Sequence, residues 1–139
     1  MAMRFGLDDD RACRIMQCLA EWAWLVDHGA AGDAVRLYAP NAAQEIAGVR
    51  AEGVAAIGAA LRRRAAMTQR TSRHVISNFR LTQLTRNEAT AAWILTLYRS
   101  DTEKLDPVPL LVADVDDRFV AADGAWRIVE RKVKPIFER

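Results

Sequence analysis

Arg73-His74-Val75-Ile76-Ser77-Asn78 is where the chain changes its hydrophobic period, and that change decides the fold. Upstream of this phrase the apolar spacing is helical. Ile15, Leu19, Trp22 and Val26 recur at intervals of four, three and four residues, with Cys18 and Leu25 widening the stripe. Asp8-Asp9-Asp10 supplies an N-cap and first-turn acids, so this helix is expected to run to about His28. Gly29 can take the left-handed conformation that follows a helix. A short second helix is expected at 33–38, stopping before Pro40, and a third after Gly53, with Val54, Ile57 and Leu61 on one face, to about Met67. Residues 43–46 form a candidate short strand between them.

Downstream the pattern becomes that of strands, expected near 74–84, 88–100, 108–121 and 125–137. In the second, Trp93, Leu95 and Leu97 share one face, and Ile94, Thr96 and Tyr98 share the other. Apolar residues on both faces suggest a central strand, or one outer face used in a subunit contact. Arg86-Asn87 is a turn signal and Asp123-Gly124 a strong hairpin cue. Pro107 and Pro109 mark the entry to the third strand. Helices followed by an antiparallel meander predict an α+β domain with helices packed on one face of a sheet. A strongly curved sheet around a long helix leaves an open-ended cone, a natural small-molecule site.

At 139 residues the chain is expected to be a single domain, 1–139, with a substantial core. A formal charge of +2 gives no reason to expect nucleic acid as a partner, and no apolar run is long enough to predict a membrane span. Residues 1–10 lack the apolar region of a signal peptide, which points to the cytoplasm. Cys13 and Cys18 lie about 140° apart around a helix and are not expected to bridge. No His, Cys and carboxylate cluster has metal-ligand spacing, so neither metal nor cofactor is expected. Arg62-Arg63-Arg64, with Arg70 and Arg73, reads as a solvated helix end rather than a nucleic-acid groove.

The order of elements and several local phrases resemble the nuclear transport factor 2-like superfamily, in its SnoaL-like, scytalone dehydratase-like branch. The phrases are Leu25-Val26-Asp27, residues 33–40 (DAVRLYAP), residues 48–57 with their paired glycines, the Arg73–Asn78 phrase, and Asp117-Arg118 with Gly124-Ala125-Trp126-Arg127-Ile128 and Arg131. Together they span about residues 8–137. The resemblance implies a cone of three N-terminal helices packed in a curved, mostly antiparallel sheet, and a homodimer formed through the sheet's outer face. It also implies a small hydrophobic ligand as partner. The superfamily contains dehydratases, isomerases, cyclases and non-catalytic binding proteins, so the fold alone does not name the reaction.

In scytalone dehydratase-like members an aspartate at the end of the first helix orients a histidine on the first long strand. Asp27 and His74 match those positions. A carboxylate accepting one ring N–H fixes the tautomer and raises the basicity of the other nitrogen, which can then move a proton beside a carbonyl or to a leaving hydroxyl. Asn78, four residues on, is expected on the same strand face as His74. Tyr38 and Tyr98 are candidate donors to a developing oxyanion, and Trp93 a cavity-lining aromatic. His28 reads as a helix-end residue. Two features depart from the dehydratase pattern: the sheet carries no second histidine, and Val26 replaces the tyrosine before the aspartate. The expected function is therefore a cofactor-independent lyase, isomerase or cyclase working by general acid/base catalysis on a hydrophobic oxygenated ring compound. The alternative is a non-catalytic binding module, or a small accessory subunit of a ring-hydroxylating dioxygenase, which Ser77-Asn78-Phe79 and Arg131-Lys132-Val133 resemble.

Overall fold

A computed structural model describes residues 9–139; the expectations for residues 1–8, including Asp8 as a cap, lie outside them. Helix α1 (Asp10–Asp27) begins at Asp9, whose carboxylate accepts the backbone N–H of Arg11 at 2.9 Å. It ends at Gly29, with φ of +85°. Its buried stripe contains Ile15, Cys18, Leu19, Trp22 and Val26, while Trp24 lies on the opposite face, 62% exposed and stacked on His28.

A 3-10 helix (Ala31–Leu37) takes the place of the expected second α-helix, and Tyr38 already begins strand β1 (Tyr38–Ile46). Pro40 lies within that strand, in the stretch where its pairing with the last strand shifts register, so no ladder hydrogen bond is asked of its missing N–H. Strand β2 (Val49–Glu52) follows, then α2 (Gly53–Ala66), β3 (Thr71–Leu84), β4 (Glu88–Ser100), β5 (Leu111–Ala122) and β6 (Ala125–Glu138). The six strands form one sheet in the order β2-β1-β6-β5-β4-β3, antiparallel except where β1 runs parallel to β6. β5 starts only after Pro107 and Pro109.

Two tight turns close hairpins. Asp123 and Gly124 have φ of +54° and +77° and join Ala122 to its partner Ala125, as an Asp-Gly pair should. Ala47 and Gly48 do the same work between β1 and β2 with φ of +50° and +82°. Alanine has no side-chain hydrogen bond to offset a left-handed backbone. Ala47→Asn is therefore expected to stabilise the protein by about 0.5–1 kcal/mol, read as a higher unfolding midpoint at unchanged slope.

The helices cover one face of the sheet. The core joins the α1 stripe to Trp93, Leu95 and Leu97 of β4, Val115 and Phe119 of β5, and Ile128 of β6. Alternation then sends Ile94, Thr96 and Tyr98 to the other face. Among the described residues, no helix is long and apolar enough to cross a membrane.

Candidate functional site

The end of α1 meets the start of β3. Nδ1 of His74 lies 2.6 Å from Oδ1 of Asp27, and the backbone N–H of His74 donates to the other carboxylate oxygen at 2.7 Å. An ionised carboxylate only accepts, so the His74 proton on this side sits on Nδ1 and Nε2 is left for other work. Both side chains are mostly buried, at 13% exposure for His74 and 5% for Asp27. The hydroxyl of Ser72 donates to the same Oδ1 at 2.7 Å and accepts from Nη2 of Arg64 at 2.8 Å. A continuous chain thus runs Arg64, Ser72, Asp27, His74. The edge-on ring of Trp22, 5.1 Å from the imidazole centre, braces His74 from the helix side.

Burial alone would raise the pKa of Asp27, but the His74 ring and backbone bonds, the imidazole charge and the Ser72 hydroxyl together hold it below the ordinary 3.8. A depressed carboxylate contributes stability that is complete above its unfolded value and lost as pH falls through the folded one. The stability difference between wild type and Asp27→Asn should therefore hold steady down to about pH 4 and shrink below it, as measured by urea unfolding from about pH 5 to about pH 2.

The pair opens on a cavity of about 200 Å³. Its walls are Trp22 and Val26 of α1, Tyr38 and Gln44 of β1, Leu61 of α2 and Leu97 of β4. Arg64, Arg70 and Arg99 stand among its lining residues. The Tyr38 hydroxyl donates to the Gln44 side-chain oxygen at 3.2 Å, and burial pushes its phenol pKa up. Among the described residues, no group of three His, Cys, Asp or Glu side chains gathers closely enough to hold a metal ion.

Beneath this cavity lies a second polar layer. Asp117 accepts Nε and Nη2 of Arg131 at 2.7 and 2.9 Å, and the indole N–H of Trp93 at 2.8 Å. The Arg131 guanidinium lies 4.4 Å from the centre of the Trp22 ring, so Trp22 is held between a buried cation and the imidazole. Desolvation works against the Arg131 charge, but the Asp117 carboxylate outweighs it and raises the pKa.

Of the residues expected in a site, Asp27, His74 and Tyr38 come together around one cavity. Trp93 lies on the same sheet face but deeper, bonded to Asp117 rather than lining the cavity. Tyr98 pairs with Arg73 on the opposite face of the sheet, in a groove with Leu105 and Asp106. Asn78 is separated from His74 by a β-bulge. Ser77 pairs with Ile94 but Arg80 with Ala92, so one extra residue breaks the two-residue alternation on which its placement relied. With φ of +54°, Asn78 occupies the left-handed region that asparagine tolerates, and it lines a separate hollow with Met16, Leu19 and Phe79. His28 bonds the Trp24 carbonyl, away from the cavity. Arg64 is not the solvated helix end expected of its run: it follows Ile57 and Leu61 at four and three residues on the buried stripe of α2.

The sequence profile of the SnoaL-like domain matches residues 9–132. This chain belongs to that family. Several solved structures share its fold. A proposed scytalone dehydratase from Novosphingobium aromaticivorans is 17% identical, with TM-score 0.82 over 93% of this chain and 86% of that one. A protein of unknown function with a cystatin-like fold from Nostoc punctiforme is 21% identical, with TM-score 0.79 over 95% and 96%. A nuclear transport factor 2-like protein with a cystatin-like fold, also from N. aromaticivorans, is 20% identical, with TM-score 0.76 over 94% and 92%. The SnoaL-like chain is thus a nuclear transport factor 2-like α+β cone. No curated protein sequence matches it.

Proposed function

We propose that this SnoaL-like protein is an enzyme that moves protons on a hydrophobic, oxygenated ring compound, by dehydration, isomerisation or cyclisation. The observation that carries the proposal is the 2.6 Å bond from Asp27 to Nδ1 of His74, whose ring lines a cavity with mostly apolar walls. His74 Nε2 takes a proton from the carbon beside a carbonyl and returns one to a leaving or enolate oxygen. Asp27 fixes the tautomer and supports the imidazolium that forms. Ser72 and Arg64 hold Asp27, and Tyr38 with Gln44 offers polar contacts on the wall.

Incubation with hydroxylated cyclic ketones in deuterated water tests this directly. Deuterium should enter the position beside the carbonyl with wild-type protein and not with His74→Ala. Exchange indifferent to His74, or absent for all such ketones, would leave the non-catalytic binding alternative.

We also propose a homodimer through the outer sheet face. Val75, Thr96, Val112 and Phe137 form one row across β3, β4, β5 and β6 in register, with Val75 45% and Phe137 68% exposed. Sedimentation should give twice the 15.5 kDa chain mass, falling toward the monomer with Val75→Lys/Phe137→Lys; a monomeric wild type refutes it.

A further inference from the structure

The cavity's charge is uneven. The three arginines in its lining come from three separate places in the chain: Arg64 near the end of α2, Arg70 just before β3 and Arg99 near the end of β4. Among the described residues, no carboxylate joins them in the lining. Asp27 is already engaged by His74 and Ser72, and Asp101 pairs through both its oxygens with Arg70 at 2.6 and 3.0 Å. The two acids therefore leave one of these three guanidinium charges uncompensated. Arg99, which is exposed, makes no hydrogen bond or close ion pair among the described residues, meeting Asp101 only at longer range, and Arg64 spends only one N–H, on Ser72. The pKa of Arg64 is pushed down, by burial first and by Arg70 second, and the nearby Asp27 and Asp101 carboxylates offset this only in part.

We infer that the ligand of this site is a small ring compound bearing a carboxylate, its anion held by Arg64 and Arg99 and its ring lying on Leu61 and Leu97 toward His74. The inference rests on the acid/base reading of His74 and narrows its substrate class. A guanidinium fork matches a planar carboxylate with two parallel hydrogen bonds, and apolar walls focus the field at the mouth. Register sets the reach. Arg99 pairs with Ser72 and Leu97 pairs with His74, so the arginine stands two residues along the strands from the imidazole, about 7 Å. That is roughly the span of one six-membered ring with its substituent. A cavity of about 200 Å³ lies below the usual range of roughly 300–1,000 Å³ for drug-sized ligands, which also favours a compact one.

Benzoate and benzamide are nearly isosteric and differ by the charge in question. Binding is read from the imidazole resonances of the full chain, with His74→Ala assigning which of the two histidines responds. Benzoate should bind at least about tenfold tighter than benzamide at low salt, and should weaken as salt rises. Arg99→Gln should cut benzoate affinity about tenfold and leave benzamide unchanged. Arg99 is exposed, so this variant should fold; Arg64→Gln is the second probe and should act in the same direction. Equal affinity for the two compounds, benzoate binding that survives both substitutions, or no response of His74 to either compound would overturn the inference. If benzamide is preferred while His74-dependent exchange of neutral ketones persists, the carboxylate fails and the acid/base site stands. If exchange is also lost, both fail.

Discussion

His74→Ala is expected to lower the rate of the proton-transfer reaction by about 10²- to 10⁴-fold, the usual contribution of a positioned acid or base. The loss should fall on kcat more than on KM, because the imidazole acts on the transition state while the apolar walls and arginines that hold the ring remain. Folding should suffer little. Without the imidazole, Asp27 keeps the Ser72 hydroxyl and the residue-74 backbone N–H, so the cost is that of one hydrogen bond, about 1 kcal/mol. Asp27→Asn discriminates the orienting role from a purely structural one. The carboxylate receives three donors, and an amide turns one of its two acceptor atoms into a donor facing an N–H. Either the His74 ring loses its tautomer or its backbone loses a partner. Asp27→Asn should therefore reduce kcat by about 10²-fold or more and displace the pH profile of the reaction. A profile that stays in place would mean that Asp27 holds the chain together and does not tune the imidazole.

The two ends of this pair were legible in the sequence because each marks a boundary. Asp27 closes the helical period and His74 opens the strand period, and the family resemblance joins them. The residues between and beneath them look like surface chemistry when read one at a time. Ser72 escaped because β3 begins at Thr71 rather than at 74, which places Ser72 and His74 on one face. Arg64 escaped inside a run of three arginines, although its spacing from Ile57 and Leu61 places it on the helix stripe. Asn78 shows where strand parity runs out: a bulge adds one residue at this point, and Asn78 lines a separate hollow with Met16 and Leu19 of α1 instead of the cavity beside His74. The β1–β2 hairpin was hidden because Ala47-Gly48 lacks the side-chain signal that Asp123-Gly124 carries. The buried ion pair did leave a trace. Asp117 stands between Val115 and Phe119 in the inward alternation, and Arg131 between Val129 and Val133. The hairpin at Asp123-Gly124 brings these two interruptions opposite each other, and they are register partners.

Asp117→Ala should destabilise the protein severely, by about 3–5 kcal/mol, because it leaves the Arg131 charge buried with no counterion. Side-chain exposure is 1% for Arg131 and 0% for Asp117, so water cannot replace the lost carboxylate. The indole N–H of Trp93 loses its acceptor at the same time, and Nη1 of Arg131 already has no hydrogen-bond partner. Against a typical total of about 5–15 kcal/mol, this is enough to leave the variant partly unfolded at physiological temperature. Adding Arg131→Met should recover much of the loss, since an uncharged side chain of similar length removes the stranded cation. Urea unfolding of the wild type, both single variants and the double variant gives the coupling as the departure from additivity. Additive losses would show that the pair is not the electrostatic unit its geometry describes. The double variant also separates stability from chemistry. It keeps Asp27, Ser72 and His74 but removes the guanidinium from the face of Trp22, so any fall in kcat that outlasts the recovered stability measures how far this cation and ring hold the imidazole in place.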